Sequence, residues 1–195
     1  MVASKISNNS EAQILWEKMR EGDGKALSEL FRHYYAYLYD YGMKLCSQSE
    51  LVKDSIQEVF AYLWRKHANI SRVDSVSAYL LASLRREVLK SVKQQNLRQE
   101  IHHEFSQNLP VQAFSAEELL IMNEENNSAN EILQQALKKI PTRMREALYL
   151  KTNQKLSYKE IAAIMKINSQ VARNYVSEAF HRLRTTLKEV NTSFY

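Results

Sequence analysis

Three residue types that usually interrupt or cross-link a chain are scarce in this sequence. Its 195 residues include one cysteine, three glycines and two prolines. The single cysteine, Cys46, excludes an internal disulfide and any cysteine-rich zinc site, and we expect it to be a small buried hydrophobe. With so few glycines and prolines, and no sustained alternation of apolar and polar residues, the sequence predicts an all-α protein with little or no sheet.

Long apolar runs are also missing. No segment approaches the roughly 20 apolar residues that a membrane span requires, and residues 1–13 lack the apolar core of a signal peptide. We therefore expect a cytoplasmic protein with no direct membrane insertion. The five histidines show no ligand spacing with Cys46 or with a carboxylate pair, and there is no glycine-rich phosphate loop. The sequence thus predicts no metal site, no cofactor, no catalytic residue and no enzymatic activity.

The uneven distribution of charge predicts the domain organisation. Residues 1–95 carry fourteen Lys and Arg against eleven Asp and Glu, residues 96–130 carry one against six, and residues 131–188 carry twelve against four. We predict two small helical domains joined by an acidic linker that has a short helix around Ser115–Met122. The predicted ranges are an N-terminal tail over 1–10, the first domain over 11–95, the linker over 96–130 and the second domain over 131–190.

The stretch 156–184 has the pattern of a helix-turn-helix. Ser157 and Glu160 form a capping box that starts the first helix at Tyr158, and Asn168 is a good N-cap for the second. One stripe of the second helix is apolar and predicted to be buried: Ala172, Val176, Ala179 and Leu183. The opposite face is polar and holds Gln170, Arg173, Asn174, Ser177 and His181.

These polar residues are of the types that read base edges. Arginine can donate two parallel hydrogen bonds to guanine, while asparagine and glutamine match adenine. A helix that leads with Gln170, Arg173 and Asn174 can therefore read a major groove. The alternative is a solvated polar face on an ordinary helical hairpin. The large positive charge of this segment favours a phosphate-binding surface.

A second informative stretch lies at residues 54–64. Its apolar residues Ile56, Val59, Phe60 and Leu63 recur at helical spacing, while Asp54, Gln57, Glu58, Ala61 and Arg65 lie toward the other side. The segment DSIQEVFAYLW resembles the characteristic first-domain helix of sigma-70-type sigma factors, D-x-x-Q-E-V-F-x-x-x-W. The C-terminal half is similar to that family's second DNA-binding domain through IPTRMR at 140–145, EIA at 160–162 and AFHRLR at 179–184.

The resemblance implies a role in transcription initiation. The two-domain length resembles the extracytoplasmic-function group, with 11–95 as sigma region 2 and 131–190 as sigma region 4. In this family the 54–64 helix docks on core RNA polymerase, which implies contacts from Asp54, Gln57 and Glu58. The −35 element of promoter DNA would be read as a duplex by the second helix, including Ser177. Phosphate contacts that set the register would come from Arg143, Lys155, Lys159 and Arg182.

The resemblance also implies that the helix predicted over Val76–Gln95 holds the melted −10 strand. Arg86, Lys90 and Lys93 project together from it, as a basic groove for a single strand requires. The family often has Asn and Asp at the positions of Arg86 and Lys90, so its base preference is not carried over. A surface charge run is the alternative. An anti-sigma factor is a further partner that the family implies.

A different class of DNA-binding protein remains an alternative. A conventional dimeric helix-turn-helix regulator explains 156–184 equally well, although it leaves the pattern at 54–64 unexplained. Such a regulator would bind duplex DNA alone, whereas a sigma factor needs core polymerase. The first domain also contains a cluster of five tyrosines. We expect their rings to pack in this domain with hydroxyls at the rim, rather than to stack on bases. The cluster consists of Tyr34, Tyr35, Tyr37, Tyr39 and Tyr41.

Overall fold

The computed structural model describes residues 9–102, 114 and 134–192. Over these residues the chain consists of helices and connecting turns without a strand, which confirms the all-α class. The chain divides into two units, Met1–Gln112 and Ala113–Tyr195. Residues 1–8 of the predicted tail and the predicted helix around Ser115–Met122 lie outside the described residues.

Unit 1 has four α-helices in its described part. They are α1 (Asn9–Arg20), α2 (Gly24–Leu45), α3 (Ser49–Lys66) and α4 (Val76–His102), with a 3-10 turn at His67–Asn69 before α4. Helix α2 is central because α1, α3 and α4 all pack against it. The largest fully buried side chains of the unit include Trp16, Met19, Leu30, Leu38, Tyr41, Ile56 and Leu63.

Helix α4 is longer than the sequence pattern predicts. The apolar stripe fades after Val92, which suggested an end near Gln95, but the helix continues to His102. No glycine or proline occurs between these points to stop it. The predicted boundary at residue 95 therefore falls inside a helix.

The turn between α1 and α2 follows from two adjacent residues. Gly22 has a φ of 93°, a left-handed conformation that glycine adopts without steric cost. Asp23 is the N-cap of α2, and its side chain accepts hydrogen bonds from the backbone N–H groups of Lys25 and Ala26 at 2.8 and 3.3 Å. This capping stabilises the start of the central helix.

Unit 2 contains the helix-turn-helix. After a helical segment at 134–138 come α5 (Thr142–Thr152), α6 (Tyr158–Met165) and α7 (Ser169–Thr192), and α7 packs on both α5 and α6. One buried cluster joins the helical segment to α5 and α7 through Leu137, Ile140, Leu148 and Ala179. Phe114, which the sequence assigned to the linker, is fully buried with its ring centroid 5.6 Å from that of Tyr149. This linker residue is thus part of the core of unit 2.

Candidate functional site

The three predicted polymerase contacts share one exposed face of α3. Asp54, Gln57 and Glu58 are all exposed, because the buried stripe of the same helix turns its apolar side chains into unit 1. Glu58 Oε1 accepts a hydrogen bond from Arg65 Nη2 at 2.5 Å. Both partners of this ion pair are about half exposed, so it contributes little to stability and leaves the carboxylate accessible.

An open groove between α2 and α3 adjoins this face. Its volume is about 440 Å³, and its lining consists of Leu27, Ser28, Phe31, Arg32, Phe60, Ala61 and Trp64. Trp64 is 42% exposed and stacks on His67 with 5.3 Å between ring centroids. The sequence did not predict the groove, since four of its seven lining residues come from α2 and three from α3. Periodicity within one helix carries no information about its neighbour.

The three predicted −10 contacts also share one face. Arg86, Lys90 and Lys93 are exposed on α4, whereas the stripe that includes Leu84 and Val88 is buried. Lys90 Nζ donates a hydrogen bond to Glu87 Oε1 at 2.9 Å. The basic face of α4 is therefore formed as the spacing predicts, with the charge of Lys90 partly balanced by its neighbour.

Two tyrosines that the sequence did not single out lie near this basic face. Tyr62 of α3 is 41% exposed. Burial raises the pKa of Tyr79 on α4, Tyr62 adds to the rise, and Ser83 and the positive charge of Arg86 oppose it. The ring of Tyr79 packs edge-on against that of Trp16, with 5.0 Å between ring centroids, while Tyr62 leaves part of its ring exposed. No sequence signal pairs a residue of α3 with one of α4.

The loop that leads into α4 is tied to α1. Gln13 Nε2 donates a hydrogen bond at 2.8 Å, Trp16 Nε1 at 3.4 Å and Arg20 Nε at 2.5 Å. The acceptors are the backbone carbonyls of Val73, Ser71 and Ile70, respectively. Because backbone carbonyls in a loop need partners, these bonds give the entry to α4 a defined path.

The predicted caps of the helix-turn-helix are present. Ser157 Oγ accepts from the Glu160 N–H at 3.3 Å, while Glu160 Oε2 accepts from the Ser157 N–H at 2.8 Å. Lys166 ends α6 in the left-handed conformation, with a φ of 53°. Asn168 Oδ1 accepts from the Val171 N–H at 2.8 Å and starts α7. The local sequence therefore sets both ends of the turn.

The predicted recognition residues form one exposed surface on α7. Gln170, Arg173, Asn174 and Ser177 are all exposed. Gln170 Nε2 donates a hydrogen bond to Asn174 Oδ1 at 2.9 Å. The pair still offers the acceptor Oε1 of Gln170 and the donor Nδ2 of Asn174. One acceptor beside one donor matches the N6 and N7 edge of adenine.

Arg173 lies over an aromatic ring. Its Cζ is 5.2 Å from the ring centroid of Tyr158, and Lys151 Nζ is 4.8 Å from the same centroid. Both distances are within the range of a cation–π interaction. Sequence spacing did not indicate this cluster, because its members come from α5, α6 and α7.

Three of the predicted phosphate contacts lie on three different helices of unit 2. Lys159 is exposed at the start of α6. Arg182 Nε donates to Glu178 Oε1 at 2.7 Å, and Arg143 Nη2 donates to the Met165 carbonyl at 3.5 Å. Arg143 therefore links α5 to the end of α6, whereas the Arg182 pair lies within α7.

Two searches of the described residues were negative. No group of three or more His, Cys, Asp or Glu side chains there could hold a metal ion. In the same part of the chain, every helix is too short or too polar to cross a membrane.

Comparison with known proteins assigns both units. The family model of sigma-70 region 2 matches residues 30–98, and that of sigma-70 region 4 matches residues 130–183. No curated protein matches the chain.

Two solved structures share the fold. The chain is 16% identical to CnrH, which was solved in complex with the cytosolic domain of CnrY. The TM-score is 0.62, and the match covers 92% of this chain and 98% of the CnrH chain. The chain is also 20% identical to the sigma factor RpoE, which was solved with the anti-sigma factor NepR from Bartonella quintana. The TM-score is 0.60, and the match covers 84% of this chain and 98% of the RpoE chain. Since the two family models together span more than half of its length, the chain belongs to the sigma-70 family of RNA polymerase sigma factors, in the extracytoplasmic-function group.

Proposed function

We propose that this chain binds core RNA polymerase and directs it to promoters, reading the −35 element as a duplex and holding the −10 strand after melting. The observation that carries the proposal is the presence in one chain of the exposed polar face of α3 and a helix-turn-helix with a polar recognition face. A regulator that binds DNA alone has no use for the first of these surfaces.

Polymerase docks on α3 in this proposal. Asp54, Gln57 and Glu58 supply acceptors and negative charge, which steer a basic partner surface and fix its register. Ala61, which lies on the same exposed face, also lines the groove between α2 and α3. Its small side chain lets a partner helix approach closely, and the apolar groove beside it supplies area to bury.

The −35 element is read by α7. Arg173 donates to guanine, while Gln170 and Asn174 present their paired amides to adenine. Lys159 and Arg182 contact phosphates and set the register without specifying sequence. The positive charge of unit 2 attracts the duplex as a whole.

The −10 strand is held by unit 1. Arg86, Lys90 and Lys93 track the backbone, and the exposed ring of Tyr62 on α3 offers a surface on which an unpaired base can stack. Unpairing costs a few kcal/mol, and stacking of about 1–3 kcal/mol per base offsets it. Binding of the opened strand thereby helps to drive melting.

An anti-sigma factor is a further partner in this proposal. RpoE was solved with the anti-sigma factor NepR, and CnrH with the cytosolic domain of CnrY. We place the chain in the cytoplasm, where core polymerase and the promoter are.

The test is transcription in vitro by the purified chain and core polymerase on a genomic promoter library. We expect transcripts that start from a common promoter pattern and that disappear when the chain is left out. Binding of duplex DNA by the chain alone as a dimer, with no effect on polymerase, would instead identify a conventional regulator.

A further inference from the structure

Among the described residues, Arg173 has a ring contact but no hydrogen bond or ion pair. Its guanidinium lies over Tyr158, the first residue of α6, at 5.2 Å from the ring centroid. Its five N–H donors are therefore available to DNA. The contact joins the recognition helix to the helix before it.

We propose that Tyr158 is a positioning residue that holds the Arg173 guanidinium in the orientation needed to recognise one guanine of the −35 element. The inference rests on the proposed function, in which α7 reads that element. Tyr158 itself need not touch a base, because it acts through the arginine.

The ring of Tyr158 is well placed for this role because its own position is defined. The capping box of Ser157 and Glu160 fixes the backbone immediately before it and leaves the side chain half-buried. Lys151 lies over the same ring at 4.8 Å, and its ammonium is held by a hydrogen bond of 3.1 Å to the Leu156 carbonyl. The ring is therefore attached to the body of unit 2, whereas Arg173 is exposed.

The physical effect is preorganisation. An unrestrained arginine samples many rotamers, and fixing it on a base costs conformational entropy. A cation–π contact that already selects the binding rotamer removes part of this cost. Contacts of this kind at exposed sites correspond to about a two- to fivefold effect. Because the bidentate bond forms only with the correct base, this effect should appear as discrimination at a single base pair rather than as general affinity.

The experiment uses the full chain bound to core polymerase and a duplex library randomised across the −35 region. Binding of the wild-type protein defines its preferred base at each position, and Arg173→Ala identifies the base pair that Arg173 reads. We expect Tyr158→Leu to lower discrimination at that same base pair about two- to fivefold. Tyr158→Phe is the matched control, since it retains the ring and should retain the wild-type discrimination.

A second substitution covers the case in which Tyr158→Leu does not fold. Tyr158→pentafluorophenylalanine nearly preserves the ring shape but reverses its quadrupole, so it should repel the guanidinium and lower discrimination at the same position. Circular dichroism checks folding of each variant. In an Arg173→Ala background, neither substitution should change the base preference further.

Three outcomes would overturn the inference while leaving the proposed function intact. They are unchanged discrimination in the folded ring variants, a uniform loss across all sequences, or a loss in Tyr158→Phe as large as in Tyr158→Leu. The last two would mean that Tyr158 packs or uses its hydroxyl on a phosphate. A wild-type holoenzyme with no −35 preference would overturn the proposed function itself, and the role of Tyr158 with it.

Discussion

Gly42 of α2 lies directly against Val52 of α3. A β-carbon at position 42 would stand 2.5 Å from Val52 Cγ1, which is closer than carbon atoms approach in folded proteins. Val52 is fully buried and β-branched, so it has little freedom to move away. The close packing of α2 on α3 at this point therefore depends on the absence of a side chain at position 42.

Gly42→Ala should destabilise unit 1. Overpacking costs about 1–3 kcal/mol, whereas alanine returns about 1 kcal/mol of helix propensity. We expect a net loss of up to about 2 kcal/mol in the free energy of unfolding, measured by urea denaturation. Adding Val52→Ala should recover part of this loss. Gly24→Ala is the control, because its new β-carbon would meet Trp64 at an ordinary 3.5 Å; equal stability of both single variants would contradict the prediction.

Asp54→Lys should weaken binding to core polymerase. Reversing one exposed charge in the proposed interface should raise the Kd about tenfold, equivalent to about 1.4 kcal/mol, without changing the fold. The measurement is a titration of labelled chain with core polymerase at low salt. Glu21→Lys makes the same charge change at an exposed position at the end of α1 and should bind like wild type. Wild-type affinity of the Asp54 variant would remove this residue from the interface.

Gln170 and Asn174 should act as one unit. Because their side chains are hydrogen-bonded at 2.9 Å, removal of either amide leaves the other without its partner. We expect Gln170→Ala and Asn174→Ala each to reduce discrimination at the same base pair by about 1–3 kcal/mol. The double variant should lose less than the sum, with a coupling of about 0.5–3 kcal/mol. Additive losses at two different base pairs would show that the residues read DNA independently.

Lys159→Ala should change salt dependence and leave sequence preference unchanged. The loss of one phosphate contact lowers the slope of log K against log salt by about 1. We expect a smaller change for Arg182→Ala, since Glu178 already holds that guanidinium at 2.7 Å. Salt titrations on a preferred and a mismatched duplex measure both effects. A change of base preference in the Lys159 variant would mean that this lysine reads a base.

Tyr34 should make unit 1 sensitive to alkaline pH. Burial raises the pKa of Tyr34 from 10.0 to about 12. The folded state therefore retains a proton that the unfolded chain releases, so stability is full below pH 10 and falls as the pH rises toward 12. We expect Tyr34 to account for a loss of about 2 kcal/mol by pH 11.5. Urea unfolding at several pH values should show a smaller alkaline loss for Tyr34→Phe, and identical profiles would refute the prediction.

Local signals in the sequence were sufficient for most helix boundaries. The Ser157 and Glu160 pair, Asp23 and Asn168 are capping residues whose effect depends only on the next few backbone N–H groups. The structure has the predicted caps at Ser157, Glu160 and Asn168, and Asp23 caps α2 by the same local mechanism. The end of α4 was predicted too early because the prediction followed the apolar pattern, which stops near Gln95. Helix propensity continues beyond that point, and no capping or breaking residue ends the helix before His102.

The exposed faces of α3, α4 and α7 were also predictable. Helical periodicity determines which side chains share a face, and burial of the apolar stripe leaves the polar face outward. The sequence by itself therefore determined the all-α class, the helix-turn-helix and the placement of Asp54, Arg86 and Gln170 on exposed surfaces.

Contacts between helices were decided only by the tertiary structure. Arg173 over Tyr158, Trp16 against Tyr79 and Phe114 against Tyr149 each join residues of separate segments. Periodicity describes a single helix and contains no information about the rotation and height of the helix that packs against it. For that reason, the sequence could predict which side chains face outward, whereas folding alone determined which of them meet.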